Sequence, residues 1–439
     1  MLTEKTIIEN ILADKKTAKR DFDEIKDRIM ASDLHVGDRC VQTLSVPKIF
    51  TEKDVGLFKN ITETCFSIFD KVIHEYLVSP AYRALFPFSK ELRELILSGV
   101  HYKTYIPISR IDIFFNEETG DFKFCEINTD GTSAMNEDRI LNSLLPLNTA
   151  FMNAAEGEEY YSFELFDSWV AEFKNIYDTY DNKRTDSPHV AIADFNDRGT
   201  ANEFIRFEEA FKRNGISAEI CDIRSFSYKN GSLKSPSGKR VDAVYRRAVT
   251  ADIMDRYDEV TPFISAVKDN AVCVIGSFPT QIIHNKYIFA VLHFDETKKL
   301  LSKSENDFIA AHIPATYVLN DENIEKFDAA QNRSSWLIKP FDLYASRGVY
   351  AGIDLSPKEW KNVLSKGSGK NYLLQEYCPP YVSENIDFSE KDAEIRGFRN
   401  ITGLFCYNRK FSGIYSRLSK GGIISSQYDE KTIATIVKK

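Results

Sequence analysis

Polar and apolar residues alternate strictly over residues 109–115, so Arg110, Asp112 and Phe114 share one face of a strand while Ile111, Ile113 and Phe115 take the other. Asn116, Glu117, Glu118, Thr119 and Gly120 supply turn chemistry. Alternation then resumes, with Phe122, Phe124, Glu126 and Asn128 on one face and Lys123, Cys125 and Ile127 on the opposite one. The pattern predicts a β-hairpin. Pairing Phe114 with Phe124 sets Asp112 opposite Glu126 and Arg110 opposite Asn128.

Residues 1–100 carry a helical period instead. Val55, Leu57, Phe58, Ile61, Cys65, Ile68, Phe69 and Val72 form a core-facing stripe. After the hairpin, a polar loop over residues 129–133 leads into a helix, where Asp130 and Ser133 are placed either to cap it or to meet a substrate. A polar linker spans residues 178–188. From His189 the order strand, helix closed by Gly215, strand predicts a small parallel sheet. A later strand ends in Arg246 and Arg247, which either reach an anionic ligand or lie solvated.

Asn285 is set to cap a helix with Lys286 in its first turn, where a cation opposes the macrodipole and a bound anion would resolve the conflict. A strand ending in Lys339 leads to a loop over 341–347 and a return strand from Gly348, followed by a helix start with Pro357 in first position and a Ser356–Glu359 capping box. Residues 372–377 form a strand ending in Gln375, Glu376 and Tyr377, halted by Pro379 and Pro380. The last segment is a hairpin turning at residues 408–410, with Arg417 on its returning strand.

At 439 residues, 43% hydrophobic and 28% charged, the chain has the composition of a soluble globular protein of two or three domains. There is no apolar run long enough to span a membrane and no signal sequence, so no membrane partner and a cytoplasmic location are expected. A net charge of −8 argues against a nucleic-acid partner. Seven scattered cysteines without a CxxC motif fit reduced thiols, and the scattered histidines offer no zinc spacing. The turn after the first parallel strand lacks the three glycines of a dinucleotide fingerprint. No oligomeric interface is legible in the pattern.

Two carboxylates as close as Asp112 and Glu126 repel unless a cation or a shared proton offsets them. Hard oxygen ligands of this kind, with Asn128, suit Mg²⁺, and an adjacent Arg110 is placed for a phosphate or an oxyanion. The alternative is an amphipathic hairpin with solvated charges. Lys339 with Ser346, Arg347 and Gly348 makes a plausible phosphate grip. The strand end at 375–377 can present backbone groups to an adenine edge.

With these residues in view the chain resembles an ATP-grasp ligase, and more closely the circularly permuted branch that includes glutathionylspermidine synthase, because the hairpin precedes both lysine segments. The resemblance spans roughly residues 100–439. It implies an α/β fold built of α+β lobes: a helical N-terminal region (1–100), the first part of the catalytic lobe (101–180), a Rossmann-like pre-ATP-grasp domain (187–295), a lobe with lysine and lid (296–378) and the remainder of the catalytic lobe (379–439). It further implies Asp112, Glu126 and Asn128 as Mg²⁺ ligands, Arg110 facing the acyl phosphate or oxyanion, and Arg417 near the transferred phosphate. Lys286 and Lys339 would hold the ATP phosphates, Ser346, Arg347, Gly348 and Val349 would form the lid, and Gln375, Glu376 and Tyr377 the adenine hinge. Asp130 and Ser133 would contact the carboxylate substrate. The implied activity joins a small-molecule or peptide carboxylate to an amine with ATP and Mg²⁺. The alternative is an ATP-grasp-like protein that binds nucleotide or peptide without catalysis.

Overall fold

The computed structural model describes residues 2–36, 39–197, 201–343, 346–390, 394–424 and 429–439. Its longest helix, Glu52–Val78, starts at a capping box formed by Thr51 and Asp54. It buries Val55, Phe58, Ile61, Cys65, Ile68, Phe69 and Val72 of the expected stripe. That face packs on a six-stranded antiparallel sheet running, in spatial order, Lys431–Ile433, Lys410–Ser419, Ile395–Tyr407, Ile108–Phe115 and Phe122–Asn128, with Val382–Ile386 also paired to Ile395–Tyr407.

The hairpin pairs Arg110 with Asn128 and Asp112 with Glu126, as the alternation predicts. Beyond Asp112 the register shifts, so that Ile113 faces Phe124 and Phe114 faces Lys123 rather than Phe124. Cys125 is the extra residue of a β-bulge. The bulge moves Phe122 and Phe124 off the face of Glu126 and into the core with Ile111, Ile113, Phe115 and Ile127, all buried. Strict alternation would have left two phenylalanines among charges; one unpaired residue costs less than two exposed rings.

The parallel sheet forms as expected, in the order Cys273–Ile275, Ala243–Arg246, His189–Asp194, Ser217–Asp222. Helices Phe166–Tyr177 and Ala201–Arg213 cover one face through Trp169, Phe173, Phe207 and Phe211, which pack around Tyr245. Residues 198–200, in the turn after its first strand, lie outside the described residues. A second antiparallel sheet runs Thr316–Val318, Tyr372–Glu376, Trp336–Pro340, Tyr350–Ala351 and packs on Trp360 and Leu364 of helix Pro357–Gly367. That helix begins with the expected capping box of Ser356 and Glu359. Among the described residues no helix is long and apolar enough to cross a membrane.

Asp112, Gly403 and Tyr415 make one cross-strand row. A Cβ on Gly403 would lie 2.9 Å from Arg110 Cδ and 3.0 Å from Asp112 Oδ1. Substituting Gly403→Val is therefore expected to cost about 1–3 kcal/mol of stability by overpacking, read as a lower urea midpoint at unchanged slope. An unaltered midpoint would mean that both side chains can move aside freely.

Candidate functional site

Asp112 has no exposed surface. Its Oδ1 accepts from Arg110 Nε at 2.7 Å, and its Oδ2 from Arg110 Nη2 at 3.0 Å, Arg417 Nη2 at 2.7 Å and Asn128 Nδ2 at 3.2 Å. Arg417 reaches this point from strand Lys410–Ser419 and also pairs with Glu430 at 3.2 Å. The two guanidinium groups lie 5.4 and 5.7 Å from the Tyr415 ring. Burial works against the charge on Arg110 and Arg417, but the carboxylates of Asp112 and Glu430 outweigh it and hold Arg417 protonated above its usual range. Glu126 Oε1 pairs with Lys286 Nζ at 2.7 Å. Burial alone would raise the Glu126 carboxyl; Lys286 chiefly reverses this and brings it to about 2. The repulsion between the paired carboxylates is thus offset by arginines and a lysine of the chain itself.

Lys286 does not lie in a helical turn. It occupies the turn between the four-residue helices Gln281–His284 and Ile288–Val291, and Asn285 Oδ1 accepts from Tyr287 N at 3.0 Å. The expected conflict with a macrodipole therefore does not arise. Tertiary contacts break the helix here: Lys286 N donates to Phe341 O at 2.8 Å and Nζ to Leu343 O at 2.7 Å. Lys339 is buried at the end of its strand, with Nζ 3.4 Å from Cys125 O and 4.3 Å from the Phe289 ring centroid. Burial lowers its ammonium to about 8. Among the described residues no carboxylate forms an ion pair with it.

Of the expected loop 341–347, Tyr344 and Ala345 lie outside the described residues. Ser346 and Gly348 are both left-handed, with φ of 54° and 73°, and Val349 N closes the turn on Ser346 O at 3.2 Å. Arg347 is exposed. A Cβ on Gly348 would approach the Tyr372 hydroxyl to 2.9 Å, so glycine is required here for space as well as for φ. Gln375 is buried and donates to Thr316 Oγ1 at 2.7 Å. The N–H groups of Glu376 and Tyr377 are already given to Ala315 O and Ser335 O, both at 2.8 Å, so neither is presented to a ligand.

Asp130 is a buried ion-pair partner: Oδ1 lies 2.8 Å from Arg246 Nη2, and Oδ2 accepts from Thr250 N at 2.6 Å. Ser133 offers its carbonyl to Arg110 Nη1 at 2.9 Å. Neither residue caps helix Met135–Leu144. The cap comes from Glu203, whose Oε2 accepts from the N–H groups of Ala134, Met135 and Asn136 at 3.0, 3.1 and 3.5 Å. Arg247 pairs with Glu203 at 3.2 Å and donates to the carbonyls of Thr132 and Gly131. Arg246 and Arg247 are therefore neither solvated nor turned to a ligand; both are buried. The signal for this clasp was a glutamate at position 203 in the same helical stripe as Phe207 and Ala210, where a carboxylate needs a buried partner.

No protein-family model matches the sequence, and no curated protein matches it. Among solved structures the chain is similar to a glutathione synthetase like-effector (GSS30) from Globodera pallida in apoform, with a TM-score of 0.60 at 12% identity over 95% of this chain and 96% of that one. A putative gamma-glutamylcysteine synthetase from Methylobacillus flagellatus gives a TM-score of 0.33 at 9% identity, covering 89% of this chain and 90% of that one. The D-cycloserine synthetase DcsG gives 0.29 at 13% identity, covering 56% and 90%. The last two scores carry no weight. The mixed α/β fold of this chain is that of the glutathione synthetase like-effector along nearly its whole length.

Proposed function

We propose that the chain is an ATP-dependent carboxylate–amine ligase of the permuted ATP-grasp kind, forming an amide or peptide bond through an acyl phosphate as in the glutathionylspermidine synthase branch. The observation that carries this reading is Lys339, a buried lysine that among the described residues forms no ion pair of its own, beside the Lys286–Glu126 pair and backed by Arg110 and Arg417. A buried ammonium whose nearest carboxylate is already paired with another lysine gains from a further anion. Residues 101–180 and 379–439 supply the catalytic sheet in this reading, 187–295 the parallel-sheet domain and 296–378 the lobe with Lys339. The hairpin preceding both lysines is the permuted order.

Lys286 and Lys339 hold the phosphates of ATP, the turn Ser346 to Val349 covers them, and residues 375–377 border the adenine. Arg110 faces the oxyanion and Arg417 the transferred phosphate. Asp130 is committed to Arg246, which leaves Ser133 as the one of the two to contact a carboxylate substrate in this reading. Glu126 and Asn128 would hold Mg²⁺ through their oxygens, with Asp112 sharing its own with two guanidinium groups, and the ion would supply charge neutralisation. The free thiols fit a reducing, cytoplasmic setting. A second reading, nucleotide or peptide binding without catalysis, draws on the four hydrogen bonds already filling Asp112.

Purified protein is expected to release ADP only with Mg²⁺, one acid and one amine, across a panel including glutathione with spermidine. Asp112→Asn should lower that turnover about a hundredfold or more by removing the charge that aligns both arginines. Equal turnover in the variant would remove the hairpin from the chemistry, and tight ATP binding without ADP release would favour the second reading.

The Lys339 ammonium sets a pH dependence. An anion favours its charged form, so binding above pH 8 takes up a proton and ATP affinity falls as pH rises through about 8. The limit for one proton is about tenfold per pH unit. Calorimetry in buffers of different ionisation enthalpy reads the uptake directly, and Lys339→Arg should abolish it. No uptake in the wild type would take Lys339 out of the phosphate site.

A further inference from the structure

The loop leaving the hairpin is gripped from the parallel-sheet domain by two buried ion pairs that the chemistry above does not use. Asp130 meets Arg246 at one end, and Glu203 with Arg247 clasps the other. Gly131, at φ 60°, is pressed so close that a Cβ would lie 2.6 Å from Val249 Cγ1 and 3.0 Å from Arg247 O. Ala134 takes φ 82°, a left-handed conformation that residues with a side chain rarely adopt. Three amide hydrogens converging on one Glu203 oxygen hold it there. Between these grips the Ser133 carbonyl is aimed at Arg110 Nη1.

The geometry points to Glu203 as a positioning residue for Arg110, acting through the left-handed turn at Ala134 and the Ser133 carbonyl. Asp112 already engages Nε and Nη2 of Arg110. With Nη1 also held, the guanidinium plane is fixed, and so is the set of N–H groups left over for a ligand. The inference rests on the ligase reading, in which Arg110 faces the oxyanion. Turnover should depend on Glu203, while ATP binding, which falls to the two lysines, should not.

The test compares Glu203→Gln, Ala134→Gly and the double variant in steady-state ADP release with an acid and amine pair that the wild type uses. Glu203→Gln is expected to lower kcat about tenfold or more with KM for ATP within about twofold. Ala134→Gly should stay near wild type, and in the double variant it should restore kcat several-fold, because glycine takes a positive φ without help from a carboxylate. Should Glu203→Gln fail to fold, Ala134→Val decides: it keeps Glu203 but disfavours the turn, and kcat should fall with KM unchanged. Wild-type kcat in Glu203→Gln, or a loss that Ala134→Gly does not restore, overturns the positioning role and leaves the ligase reading intact. A wild type that releases no ADP with any pair overturns the ligase reading and this role together.

Discussion

The carboxylate of Asp112 is the constraint on which the other parts depend. A charge without exposed surface is tolerated only where its partners are complete. Here they come from three strands: Arg110 from its own, Asn128 from the neighbouring strand and Arg417 from a strand beyond Ile395–Tyr407. The strand in between crosses them with Gly403, which leaves room for the side chains lying over it. A slip of one residue would turn the whole set into the apolar face against helix Glu52–Val78, so charge and packing specify the same register.

The cations beside this row are unequally committed. Arg110, Arg417 and Lys286 each have a carboxylate within the protein, whereas Lys339 has a carbonyl and an aromatic ring. Among the described residues, then, three of these four cations share their charge with a carboxylate at ion-pair distance and one does not. Lys286 also holds the carbonyl of Leu343, so any change in its partners is felt at the root of the loop above.

Local rules were legible in the sequence and long-range ones were not. The row Arg110, Asp112, Glu126, Asn128 followed from alternation, and the Ser356–Glu359 box from a three-residue spacing. The bulge at Cys125 was hidden because strict alternation looks the same with or without an extra residue; the clue was two phenylalanines assigned to a charged face. Lys286 sits in a run with helical character, yet its N–H goes to Phe341 O, a partner that no window around residue 286 contains. Likewise Arg246 and Arg247 are buried because Asp130 and Glu203 meet them, and nothing near the arginines announces either.

The six-stranded sheet is assembled from two distant stretches: Ile108–Phe115 pairs with Phe122–Asn128 on one side and with Ile395–Tyr407 on the other. During synthesis the hairpin therefore stands with one edge unpaired, and its buried carboxylate without Arg417, until the later strands have left the ribosome. The strands of the parallel sheet come from consecutive segments between them, but the core on its helix-covered face also takes in Phe405, Tyr407 and Tyr415 of the late strands, so it too is completed only when they arrive. Through Arg246, Arg247 and Glu203 the parallel-sheet segment holds the loop that leaves the hairpin, so the last strands made complete the hairpin's sheet and the packing behind that loop together.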